Sequence, residues 1–345
     1  MKTAEAILRI PPSHPELLFS GDEPAVHQLY HRLAAQWHPD RNTSPRATEV
    51  FQRIVTLYTA TKAQIASGRW SAARGETLLT ARDGKQYRVK HFTRRPFELG
   101  ELLIGNMIAS YVVTADGTDL YRNALKVLRA VGFASDEMRK EIQPSLPEIQ
   151  ATVEGSDRCA LVLKKPADMV LLADLARHLG GTVPAVHVAW ILSSLYNLAC
   201  WLEWAQVSHN AIGPDTVFVS PQRHAVALLG GWWYATRFGG RLSALPARTV
   251  HSIPSDIVRA KIADPRSDLE LIHLTGRELL GDPSGVRLIR DPSVPHPFGD
   301  WLRHPTSGSA IADYGIWRDV IVSSFGARRF SRLEITPEEI YPSMS

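Results

Sequence analysis

Apolar residues recur every three or four positions over 24–37, where Val26, Leu29, Tyr30, Leu33 and Trp37 form one stripe. His27, Gln28, His31, Arg32 and Gln36 fall on the opposite side, so the spacing predicts an amphipathic helix. A second stripe, Ala47, Val50, Phe51, Ile54, Leu57 and Tyr58, follows Ser44 and Pro45, a favourable N-cap and first helical residue. Two such helices joined by a short loop pack antiparallel, stripe against stripe. The small apolar segment AEAILRI can lie across them, and the helical unit is expected to end near Trp70.

From Glu76 the period changes. ETLLTARDGKQYRVKHF predicts two strands around a turn at Asp83-Gly84. FELGELLIG, ASYVVTADG and LYRNALKVLR read as further strands, a helix is expected around 135–143, and CALVLKK reads as a strand again. Beyond Ala167 the pattern is mostly helical, with one strand-forming interruption at TVFVSPQRHAVALLGG. The longest apolar run, AWILSSLYNLACWLEWA (189–205), is interrupted by Ser193, Ser194, Asn197 and Glu203 and is short for a membrane span. A buried helix is expected there, and no membrane partner. The segment RLEITPEEIYPSMS is expected to be a poorly fixed tail.

Composition adds limits to this picture. At 345 residues, 44% hydrophobic and 21% charged, the chain can build two or three cores. A net charge of +4 with scattered Lys and Arg gives no concentrated phosphate-tracking face, so no nucleic-acid partner is expected. Two cysteines, Cys159 and Cys200, exclude a disulfide scaffold and a multi-cysteine zinc module and fit a reducing cytoplasm. The N-terminal residues lack the apolar core of a signal peptide. The 13 histidines form no HxxH or HExxH arrangement, and there is no nucleophile elbow or Walker loop. No metal is expected.

QWHPDRN (36–42) joins the two striped helices. Proline disfavours helical geometry in the residue before it, so the first helix should stop near Trp37 or His38. Asp40 can then bond nearby amides and stiffen the turn. In this setting, VHQLYHRLAAQWHPDRNTSPRATEVFQRIVTLYTA resembles the J-domain of DnaJ-like co-chaperones, over roughly residues 4–70. The resemblance implies that His38, Pro39 and Asp40, with Arg32 and Arg41 beside them, contact a DnaK-type chaperone and stimulate its ATP hydrolysis. The family's first paired helix carries more basic residues than the Arg32 found here, which implies weak electrostatic steering. The chain lacks the Gly/Phe-rich stretch and repeated CxxC motif of general folding co-chaperones.

The remainder resembles a protein kinase. NALKVL stands where kinases carry the small-lobe strand lysine, giving Lys126, and EMRKEIQPSL offers Glu141, with Glu137 second, as its helical partner. CALVLKKPADMVLLADL resembles the last small-lobe strand, the hinge and the next helix. VSHNAIGPDTVFV resembles the catalytic loop, VALLGGWW the metal-binding segment, and DPRSDLELIHLTGRELLGD the large-lobe anchor helix, with Asp268 in a buried structural role. Phosphoryl transfer needs a carboxylate base and an Asp and Asn to hold magnesium. Against that pattern the base position is Ala211, the metal amide position Thr216 and the metal aspartate position Gly230, while the glycine loop keeps Gly105 alone. The resemblance so read implies a pseudokinase that is not an enzyme and requires no cofactor. Weak, magnesium-independent ATP binding at Gly105, Lys126 and Glu141 is compatible with it, and Met107 could plug the pocket. An atypical kinase or nucleotide-binding enzyme using non-standard residues is the alternative.

The expected fold is therefore multidomain α+β: an antiparallel helical J-domain (1–72), a linker with a β-hairpin (73–95), a β-rich kinase-like small lobe and hinge (96–170), a helical large lobe (171–333) and a tail (334–345). The expected partners are a DnaK-type chaperone and an unknown client or scaffold protein, in the cytoplasm.

Overall fold

The computed structural model describes residues 3–12, 15, 18–19, 23–66, 75–326 and 331–341. The N-terminal unit holds α1 (Ala4–Leu8), α2 (Glu23–Trp37) and α3 (Ala47–Ala66). Its stripes meet as the periodicity predicts: Val26 and Leu33 of α2 are buried with Val50, Ile54 and Leu57 of α3, and Ile7 of α1 closes the core. This core shares no residue with the cores of the rest of the chain.

The hairpin at Asp83-Gly84 forms as β1 (Gly75–Thr80) and β2 (Gln86–His91). Leu79 and Val89 pack on Leu103, Val112, Val153 and Ala160, so the hairpin lies on a larger sheet and does not hang free as a connection. That sheet has five antiparallel strands in the order β3-β4-β5-β7-β6. They are β3 (Thr93–Phe97), β4 (Gly100–Ile104), β5 (Ile108–Thr114), β6 (Glu148–Glu154) and β7 (Arg158–Lys164).

Between β5 and β6 run α4 (Thr118–Arg129) and α5 (Asp136–Ile142). Here one expectation is corrected, because LYRNALKVLR is helix and not strand. Tyr121, Ala124, Leu125 and Leu128 form an i, i+3, i+4, i+7 stripe that α4 buries in the main core.

The second lobe begins at β8 (Val170–Leu171) and α6 (Leu172–His178) and is built around α7 (Ala185–Trp204). By length and composition α7 could cross a membrane, but the structure buries most of it in this lobe. After α7 come β9 (Val207–Ser208), β10 (Val217–Ser220), β11 (Ala225–Leu228) and β12 (Thr236–Arg237). β11-β10-β8 make a three-stranded sheet, and β12 pairs with β9. The helices α8 (Ala247–Val250), α9 (Ser255–Ala260), α10 (Arg266–Leu279), α11 (His296–Trp301) and α12 (Ala310–Phe325) complete the lobe.

The C-terminal segment is also corrected. It is not loose over 331–341: Leu333, Ile335 and Tyr341 are buried, and α13 (Pro337–Ile340) is held by Glu339, which accepts a bond from the Thr336 amide. The Tyr341 hydroxyl accepts from the Leu171 N–H at 3.1 Å and donates to Asp174 at 2.9 Å. Asp174 also accepts from Arg95 of β3 at 2.9 Å and from Arg177 of its own helix. Burial works against the Asp174 charge, but Arg95 and Arg177 outweigh it and hold the carboxyl below its ordinary range. One buried carboxylate thus ties the sheet lobe, the helical lobe and the C-terminal segment together.

Candidate functional site

The cleft between the lobes is where a kinase-like fold would work. α10 sets its floor. Asp268, fully within that helix, accepts from the backbone N–H groups of His209 and Asn210, each at 2.7 Å, and fixes the loop 209–216. Burial pushes its carboxyl up to about 6 despite those two amides. Asn210 adopts a left-handed φ of 64° and donates to the carbonyls of Ser208 and Tyr234. Burial lowers His209 to about 3, so the ring is neutral. Its Nε2–H donates to the Gly230 carbonyl at 2.9 Å and its Nδ1 accepts from the Ala211 N–H. Both ring nitrogens are committed to structure.

Ala211, Thr216 and Gly230 come together here. The Thr216 hydroxyl donates to the Ala211 carbonyl at 2.7 Å, and the Gly230 N–H donates to the Thr216 carbonyl at 2.9 Å. A Cβ on Gly230 would stand 2.5 Å from the Tyr111 hydroxyl and 3.1 Å from Thr216 Cα. Tyr111 therefore fills the space a side chain at 230 would use. Its ring packs with Phe97 (centroids 5.6 Å apart) and Trp233 (5.0 Å), and its buried hydroxyl has no hydrogen-bond partner among the described residues. The cleft left beside these rings holds about 100 Å³, below the roughly 300 Å³ at the small end of ligand pockets.

The residues expected to bind nucleotide do not gather here. Lys126 lies on α4, not on a strand, and lines a different cavity. Glu141 lies on α5, where it accepts from Asn197 at 2.9 Å, and among the described residues no ion pair joins it to Lys126. Glu137 sits in the exposed first turn of α5. Gly105 belongs to the turn between β4 and β5, beside Met107, whose carbonyl accepts from the Lys165 N–H. Met107 itself is exposed and plugs nothing. The turn that faces the cleft is Glu98-Leu99, between β3 and β4, with Phe97 and Glu98 in the cleft wall. Tyr111 of β5 stands in the cleft wall. Sequence reading missed Tyr111, which stands in an apolar strand with no motif to set it apart.

A second surface is the loop after α2. His38 is half-buried, with its ring edge against Phe51 (centroids 5.4 Å), and its Nδ1 accepts from the Asp40 N–H at 3.2 Å. The carbonyl of His38 accepts from the N–H groups of Arg41 and Asn42, and Asn42 donates to the Gln36 carbonyl. Pro39, Asp40, Arg41 and Arg32 are exposed. Beside them His31 and His27 share a hydrogen bond of 2.9 Å, and His27 is linked to Tyr58 at 2.7 Å.

No protein-family model and no curated protein matches the chain. Among solved structures, that of vaccinia related kinase 3 matches with a TM-score of 0.51, covering 75% of this chain and 94% of that one at 14% identity. The fold is protein kinase-like. A β-rich lobe followed by a helical lobe agrees with the expected α+β class. The expectation that the chain is not an enzyme is corrected by the same finding: the likeness is to a protein titled a kinase, and three unlike residues in a retained fold do not establish inactivity.

Proposed function

We propose that the chain is a J-type co-chaperone built onto a kinase-like body. His38, Pro39 and Asp40, flanked by Arg32 and Arg41, would engage a cytoplasmic DnaK-type chaperone and stimulate its ATP hydrolysis. The kinase-like body would hold a client or docking protein beside it. One observation carries the reading: the His-Pro-Asp loop stands exposed at the tip of an antiparallel helix pair with its own closed core. The loop is also stiff before any partner arrives. His38 is held by Phe51 and the Asp40 amide, so its conformation is not ordered at the expense of binding. The exposed Asp40 carboxylate lies 3.7 Å from the His38 ring, and the exposed Arg41 guanidinium can meet the partner as a charged group. The hydrolysed ATP is the chaperone's, so this role needs no cofactor of the chain's own.

The test is single-turnover ATP hydrolysis by a DnaK-type chaperone from the same source. Wild-type protein should raise the rate, and His38→Gln should return it to the unstimulated value. Absence of stimulation by the wild type, or equal stimulation by the variant, overturns the proposal.

A further inference from the structure

A second cavity lies away from both surfaces above, between α4, the end of α7 and the stretch 232–243. It holds about 510 Å³, within the range of small-molecule sites and several times the interlobe cleft. One wall is aromatic: Trp201, Trp204 and Trp232. The rim is cationic: Lys126 from α4, Arg237 from β12 and Arg241 beyond it, all exposed. No Asp or Glu lines the cavity, and among the described residues none of the three cations makes an ion pair. Three like charges around one hollow repel one another unless an anion sits among them.

The walls are fixed in advance. Asn123 of α4 donates to the carbonyls of Trp233 and Ala235, both at 3.0 Å, and so pins the 232–243 stretch to the helix. The Trp201 indole donates to the Gly132 carbonyl at 3.2 Å, and the Trp232 indole to Leu228 at 2.8 Å. Trp204 is 45% exposed and lines the cavity, so part of one large ring is open to solvent there. A flat ring can lie against the half-exposed Trp204 indole, with the buried Trp201 and Trp232 behind it, while Lys126, Arg237 and Arg241 reach its anionic group.

We propose that this cavity binds a small aromatic anion, a ring carrying a phosphate or a carboxylate. The site is independent of the chaperone reading, since it uses no residue of the N-terminal unit. 1-Naphthyl phosphate is the probe, titrated into the full chain by calorimetry, with 1-naphthoate, 1-naphthol and inorganic phosphate as comparisons. The phosphate ester or the carboxylate should bind, and the stronger of the two identifies the anion. Naphthol and inorganic phosphate should each bind at least about tenfold more weakly, since each lacks one half of the contact. Lys126→Ala/Arg241→Ala should weaken the aromatic anion by about tenfold or more, as should Trp204→Ala. All three side chains are exposed, so thermal melting of the variants should match wild type. No binding of either aromatic anion, unchanged affinity in the folded variants, or naphthol bound as tightly as its phosphate would each overturn the proposal.

Discussion

Tyr111 and Gly230 make a single fit in the cleft, and each explains the other. The tyrosine, its ring clamped by Phe97 and Trp233, brings its hydroxyl to 2.5 Å and its ring edge to 3.2 Å from where a side chain on residue 230 would begin. Gly230→Ala should therefore destabilise the protein by about 1–3 kcal/mol through overpacking, read as a lower urea midpoint. Tyr111→Phe removes a buried hydroxyl without a partner among the described residues, so it should be neutral or stabilising. The double variant Tyr111→Phe/Gly230→Ala should recover part of the loss. Equal losses with and without the hydroxyl would show that Thr216, and not Tyr111, sets the limit. Motif spacing singled out Gly230, and the structure places it beside Tyr111, a residue of the cleft wall. It could not reveal the tyrosine, because a lone aromatic in an apolar strand looks like any core residue.

At the scale of elements, α10 buries a histidine as well as its aspartate. Burial, with Arg277 nearby, lowers His273 to about 3, and the ring packs at 4.2 Å from Trp301. The unfolded chain takes up this proton below about 6.5 and the folded chain does not until about 3, so His273 removes stability as pH falls through that window. His209 acts in the same direction, whereas Asp268, raised to about 6, opposes them between about 6 and 3.8. His273→Leu should make the fall in unfolding free energy shallower by up to about 1.4 kcal/mol per pH unit below 6.5. Urea titrations between pH 7 and 4 measure it, and parallel curves would show the ring to be protonated already.

How far the elements were legible follows the same physics. α2, α3, α7 and the β10–β11 pair announced themselves through long periodic or continuous apolar runs. α4 was misread because its Ala-Leu-Lys-Val string imitates a strand lysine. Its helical period was visible in Tyr121, Ala124, Leu125 and Leu128, and that error carried Lys126, Glu141 and Gly105 to the wrong place. The docking of 331–341 had no local signal at all, since Tyr341 finds its partners only in three dimensions.

For the whole molecule, the buried knot of Arg95, Asp174, Arg177 and Tyr341 decides how firmly the two lobes are held. Tyr341→Phe leaves the Leu171 amide and the Asp174 carboxylate each one bond short, at a cost of about 1–3 kcal/mol. Thermal melting should fall by several degrees, and brief proteolysis should cut within 331–341 well before it cuts the lobes. Resistance equal to wild type would mean that the apolar contacts of Leu333 and Ile335 suffice. The same knot orders events in time. Leu171 and Tyr341 are 170 residues apart, so their bond closes a loop that cannot form until nearly half the chain has been made after the first partner. Docking of 331–341 is therefore a contact of high sequence separation, and it is where a slow phase in refolding should be sought.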